Sequence, residues 1–313
     1  MASLVVLTHA GFVLGSVRPG PTAVIGFYII SGYVVSFLLD RKVKGSFLKA
    51  FYAERFFRIY PQFLFHLVVA LTFIVVTGHV SRFTEIRPNI GSILANLTLF
   101  PLQARAFSDY LAGATYVPTS WSLALEASFY VMAPFLLRSR LFDFVAGASL
   151  LLFMLALLGK TPPQPHTYSY ATIFGTLHFF AVGAWLQRRQ FKKVGLWAVA
   201  MVGIAVLVTL FASWRPPHVQ EVIIGGLAGL AIIAVLSKYR GGRFQRIDDF
   251  MGRISYPVFL NHFIFIWLFE ELGWGLSTVE NRTAILVCSW VFGVVAFYIV
   301  ERPLDAYRRS LRS

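Results

Sequence analysis

Charge is scarce in this chain. Of 313 residues only 13% are Asp, Glu, Lys or Arg, about half the share usual in a soluble domain of that length. Acidic groups are scarcer still, 14 against 28 basic ones, which leaves a net charge of +14. Cysteine is nearly absent. Cys288 is the one thiol and sits in an apolar run, which excludes a disulfide framework and a thiolate metal site. No clustered metal ligands, glycine-rich phosphate loop or Gly-x-Ser-x-Gly elbow occur, so no metal and no nucleotide redox cofactor is expected. Internal repeats and low-complexity stretches are missing too, and with them the inverted-repeat signature of many transporters.

Apolar residues fill the space. The chain is 57% hydrophobic and 16% aromatic, with a mean hydropathy of +0.69. Such a chain is expected to be an integral membrane protein. Stretches near 20 apolar residues cross about 30 Å of hydrocarbon, and ten are legible: roughly 1–16, 22–39, 60–77, 119–137, 141–159, 170–187, 194–213, 222–237, 254–272 and 283–300. With the amino terminus in the cytoplasm, three quarters of the 28 basic residues fall on cytoplasmic segments, the bias expected of topogenic charge. The other side keeps Arg18, Arg82, Arg87, Arg105, Lys160, Arg215 and Arg282. Charge spread over loops forms no nucleic-acid footprint, so that partner is excluded. The expected fold is an all-α polytopic bundle of about ten transmembrane helices, one domain over 1–313, with both termini cytoplasmic.

Two features depart from a plain bundle. The first span opens directly at Met1, without a charged leader or a cleavage site, and is short for a crossing helix. The external segment, about 78–118, is long, and loops of that length are usually functional or mobile. It is expected to cover part of an outward-facing opening.

Several polar groups lie at membrane depth, where an ionisable side chain needs a partner or a function. In Trp121-Ser-Leu-Ala-Leu-Glu126-Ala-Ser-Phe-Tyr130, helical spacing stacks Ser122, Glu126 and Tyr130 along one face. His9 lies in the first span and is a competent proton acceptor near neutral pH; a bond to a neighbouring helix explains it equally well. Ser31-Gly32 permits close helix approach, and nothing local supplies the base that a Ser31 nucleophile would need. In Arg55-x-x-Arg58-Ile-Tyr60-Pro61 the two arginines share a helix face, and their planar forks suit phosphate. Ordinary topogenic charge is the plainer reading. His262, in Ser255-Tyr256-Pro257-x-x-Leu260-x-His262, reads as packing. Glu301-Arg302-Pro303 reads as an ion pair at a helix stopped by proline.

Together these elements resemble membrane acyltransferase family three, the O-acyltransferases of cell-surface and exported carbohydrates. Leu7-Thr-His9, Phe27-x-x-x-Ser31-Gly32-Tyr33 and the arginine, tryptophan-serine-leucine, Ser255-Tyr256-Pro257 and Glu301-Arg302-Pro303 motifs carry the likeness, in order along nearly the whole chain. The resemblance implies ten membrane helices in a bacterial inner (plasma) membrane, a cytoplasmic acyl-CoA donor, usually acetyl-CoA, and a sugar or lipid-linked glycan hydroxyl as acceptor. No permanently bound cofactor and no appended soluble domain is expected. His9 matches the catalytic histidine, Arg55, Arg58 and Tyr60 the donor-binding face, and Glu126 the carboxylate that would orient His9. Ser31, Trp121, Ser122, Tyr130 and His262 are the expected acceptor contacts. One departure stands out: the family's arginine about ten residues before that histidine falls ahead of the first residue, as if the start were shortened. A transporter or flippase of a glycan intermediate is the alternative reading.

Overall fold

The computed structural model describes residues 1–40, 47–161, 167–211, 218–237 and 245–310, and among them every regular element is helical. In chain order these are α1 (Ala2–His9), α2 (Pro19–Asp40), α3 (Phe47–Thr77), α4 (Ile90–Thr98), α5 (Asp109–Gly113), α6 (Ser120–Leu136) and α7 (Phe142–Leu157). There follow α8 (Ile173–Gln187), α9 (Phe191–Phe211), α10 (Val219–Leu236), α11 (Gln245–Glu271), α12 (Val279–Ala296) and α13 (Arg302–Ser310). A 3₁₀ helix covers Phe100–Phe107, and π-helical turns cover Thr167–Ala171 and Phe297–Glu301. Arg41, Lys42, Lys44, Arg215, Lys238, Arg240, Arg243 and Arg312, which enter the charge count, lie outside the described residues.

Each of the ten apolar segments holds helical residues. Five are long and apolar enough to cross a membrane: Pro19–Asp40, Leu48–Thr77, Phe191–Phe211, Val219–Leu236 and Val279–Arg308. Phe142–Leu157 and Ile173–Gln187 are apolar but shorter. The chain is thus a helical membrane protein. The first segment differs from a span over 1–16. Its helix has 8 residues, about 12 Å of rise, and the backbone breaks at Gly11 with φ 88°, where a glycine is the natural residue.

Contacts divide the chain into two units that alternate in sequence. The first takes the described residues of 1–14, 45–124 and 241–313, and the second those of 15–44 and 125–240. In the first, Phe63, Leu67, Ile74 and Trp267 are fully buried. The segment 78–118 is held by its own hydrogen bonds. Asn89 caps α4 in a reciprocal box with Ser92, and Asn96 donates to the Ala114 carbonyl at 2.6 Å. The Tyr116 hydroxyl donates to the Ile86 carbonyl at 3.0 Å and lies 2.8 Å from Ser92 Oγ; burial raises its pKa and keeps the phenol protonated. The far end of α4 reaches Tyr60, whose hydroxyl donates to the Thr98 carbonyl at 2.9 Å. Tyr60 lies 17 residues before Thr77, about 25 Å along α3. The segment therefore folds back deep along that helix.

Helix α12 also runs on past its expected stop. A π turn over Phe297–Glu301 leads into α13, and Pro303 sits just after that turn inside the continuous helix Val279–Arg308, where its missing N–H interrupts the backbone ladder without ending the helix. In the second unit α2 and α8 cross through reciprocal glycines. A Cβ on Gly32 would fall 1.9 Å from the Phe180 carbonyl oxygen, and one on Gly183 would fall 2.0 Å from that of Ile29. Only glycine permits that approach.

Candidate functional site

Three polar clusters hold most of the residues singled out from the sequence. The first, in the first unit, is built on His9. As the last residue of α1, its half-buried imidazole faces α11, with Nδ1 3.0 Å from Nε2 of the wholly buried His262. The two rings are nearly parallel, 12° apart, and Phe263 packs on His9 with ring centroids 4.7 Å apart. One nitrogen on that line must carry hydrogen and the other a lone pair. If His9 donates, its Nε2 carries the basic lone pair. That is the state a general base needs.

The second cluster lies wholly in the second unit. Tyr130, one turn beyond Glu126 on α6, donates to Glu126 Oε1, and Ser31 Oγ of α2 donates to the same oxygen at 2.9 Å. Ser31 Oγ also lies 3.3 Å from the Tyr130 hydroxyl. The pairing supplies what the sequence does not reveal: a carboxylate against the Ser31 hydroxyl. No local spacing could announce it, because the two residues are 95 positions apart.

The third cluster, again in the first unit, surrounds the arginines of α3. Arg55 pairs with its neighbour Glu54, both buried. Arg58 Nη1 lies 2.6 Å from Glu301 Oε1, and its guanidinium stacks 5.5 Å from the Tyr256 ring. Arg308, a residue the sequence reading passes over, is buried between Glu301 at 2.9 Å and Glu54 at 3.6 Å. Arg253 and Asp305 extend the network. In this network the four guanidiniums of Arg55, Arg58, Arg253 and Arg308 meet three carboxylates, Glu54, Glu301 and Asp305, which leaves it one positive charge in surplus. Burying such charges is tolerable only because each is paired.

The remaining residues go elsewhere. Tyr60 bonds Thr98, as described, apart from the ion network. Ser122 Oγ donates to the Thr119 carbonyl at 2.9 Å, inside its own turn. Trp121 lies under the Arg105 guanidinium, 5.6 Å from its ring. Among the described residues no group of three His, Cys, Asp or Glu side chains could hold a metal ion.

A model of the acyltransferase domain family matches residues 2–302. Nodulation protein 10 of Rhizobium leguminosarum bv. viciae is 25% identical over an alignment of 329 positions, covering 91% of this chain and 82% of the relative. An uncharacterized protein of Aquifex aeolicus is 24% identical over 204 residues, 62% of this chain and 90% of that one. An uncharacterized protein of Haemophilus influenzae shares 32% over 116 residues, 36% of this chain and 46% of its own length. No solved structure matches.

Proposed function

Since this chain belongs to the acyltransferase domain family, we propose that this membrane acyltransferase moves an acyl group, acetyl in the simplest case, from cytoplasmic acyl-CoA to a hydroxyl of a cell-surface or exported polysaccharide or glycolipid. It works as a multi-pass protein of the bacterial inner membrane, a placement favoured by its membrane-length helices and by the bacterial relatives. One observation carries the chemistry: a half-buried imidazole, His9, hydrogen-bonded to a second imidazole, His262.

In this reading His9 takes the proton of the acceptor hydroxyl. The alkoxide oxygen attacks the thioester carbonyl, the C–O bond forms, the C–S bond breaks, and the proton passes to the departing thiolate. His262 holds the ring in its donating tautomer. The surplus positive charge at Arg55, Arg58 and Arg308 suits the phosphates of the nucleotide donor. No metal and no permanently bound cofactor enters. The test is purified protein with labelled acetyl-CoA. Thioester loss or transfer to a glycan that vanishes with His9→Ala supports the reading, whereas uptake into vesicles without thioester loss marks a transporter.

A second route has its own observation, the 2.9 Å contact of Ser31 Oγ with Glu126. Here Glu126 accepts the Ser31 proton and the hydroxyl is acylated before transfer. An acetyl group trapped on Ser31, mapped by mass spectrometry after mixing with donor alone, would establish this route over the direct one.

A further inference from the structure

We propose that Arg82 and Arg105, stacked on Phe83, recognise a carboxylate on the acceptor, which is therefore an acidic saccharide of the uronic-acid kind. The identity of the ligand as an acceptor rests on the acyl-transfer reading; the binding platform is argued from different residues.

Arg82 lies over the Phe83 ring, 4.6 Å from its centroid, and Arg105 stacks on the same ring at 5.3 Å and on Trp121 at 5.6 Å. Phe83 packs edge-on against Phe263 at 5.3 Å, and Phe263 packs on His9 at 4.7 Å. All six residues belong to the first unit. Three contacts thus link each guanidinium to the imidazole, through Phe83 and Phe263, and in this proposal a sugar chain whose hydroxyl meets His9 presents its neighbouring carboxylate to the arginines.

The positions are built. A reciprocal turn, Ser81 N–H to Thr84 Oγ and Thr84 N–H to the Ser81 carbonyl, both at 2.8 Å, fixes the backbone around Arg82. Arg105 rides on the 3₁₀ helix Phe100–Phe107, anchored by the buried Leu102. A guanidinium held over a ring keeps its charge, and an exposed N–H fork such as that of Arg82 can grip a planar carboxylate with two parallel hydrogen bonds, while the half-buried Arg105, its Nη1 enclosed, adds positive charge beside it. Arg82 is exposed, and among the described residues no carboxylate is paired with it. The sequence adds an independent point. The side that carries the outer segment holds only a quarter of the 28 basic residues, as topogenic bias requires, yet two of these share a single aromatic ring.

The experiment measures equilibrium binding to the purified full chain, with trigalacturonate and the neutral maltotriose as probes, at low and high salt and without donor. Wild type is expected to prefer trigalacturonate by about ten-fold, as for a charge-assisted bidentate contact, with the preference shrinking in salt. Arg82→Gln should reduce it and the Arg82→Gln, Arg105→Gln double variant should abolish it. Thermal unfolding is followed in parallel, and the exposed single variant keeps the test readable should the double one not fold. Equal affinity for both sugars, or a preference unmoved by Arg82→Gln in folded protein, overturns the proposal. So does binding confined to anionic-lipid nanodiscs, which would make the arginines headgroup contacts. The readout involves no acyl transfer, so its failure leaves the acyltransferase reading standing, and inactivity with labelled donor leaves this binding result interpretable.

Discussion

His9 Nδ1 and His262 Nε2 are 3.0 Å apart, a hydrogen bond between two imidazoles that holds only while one of them is unprotonated on that line. The pair therefore fixes a tautomer as well as a position. Removing the base with His9→Ala should lower acyl transfer by about 10²–10⁴-fold. His262→Gln, whose amide oxygen can still accept from His9, should retain more activity than His262→Ala. Equal rates for the two His262 variants, both folded, would show that the second ring only packs.

Glu126 is the shared acceptor for Ser31 and Tyr130. Glu126→Gln keeps an oxygen there and is expected to fold nearly as well as wild type. Glu126→Ala withdraws it from the buried Ser31 hydroxyl and should cost about 1–3 kcal/mol in thermal or denaturant unfolding. If Ser31 carries the acyl group, Ser31→Ala stops turnover; under direct transfer it only weakens binding.

The ion network at α3 gives an asymmetric prediction. Glu301 is deeply buried and bonded to both Arg58 and Arg308, so Glu301→Ala should destabilise the protein by about 3–5 kcal/mol. Arg58 keeps 27% of its side chain exposed. Arg58→Ala should therefore cost less stability and appear mainly as a raised KM for the donor.

Gly32 faces the Phe180 backbone, which cannot rotate out of the way. Gly32→Ala should separate α2 from α8 and cost about 1–3 kcal/mol or more. Wild-type stability in that variant would show that the crossing is looser than the geometry describes.

Tyr60→Phe removes the bond that ties α4 to α3. A loss of about 0.5–1.5 kcal/mol is expected, with faster proteolysis inside 78–118 as the direct readout.

Hydrophobic patterning made the placement of helices legible, since an apolar run of span length leaves few alternatives. It did not show where those helices stop. The brevity of α1 follows from the backbone at Gly11, and the run through Pro303 follows from a π turn that no periodicity announces. The fold-back of 78–118 escaped notice because its anchors are non-local, Tyr60 to Thr98 and Asn96 to Ala114. Site chemistry divided in the same way. His9, Glu126 and His262 stand out as polar groups within apolar runs, but partners such as Ser31 for Glu126 or Arg58 for Glu301 lie far off in sequence. Arg105 gave no signal at all, being one basic residue in a loop.

The Arg58–Glu301 bond joins residues 243 positions apart, which bears on how the protein is made. Arg58 is therefore synthesised well before the counterion that it meets in the folded chain. Until then the guanidinium must stay hydrated or take another anion, because burying it unpaired is costly. Any chain that stops short of Glu301 lacks that counterion, so this part of the first unit can close only after both partners have been made.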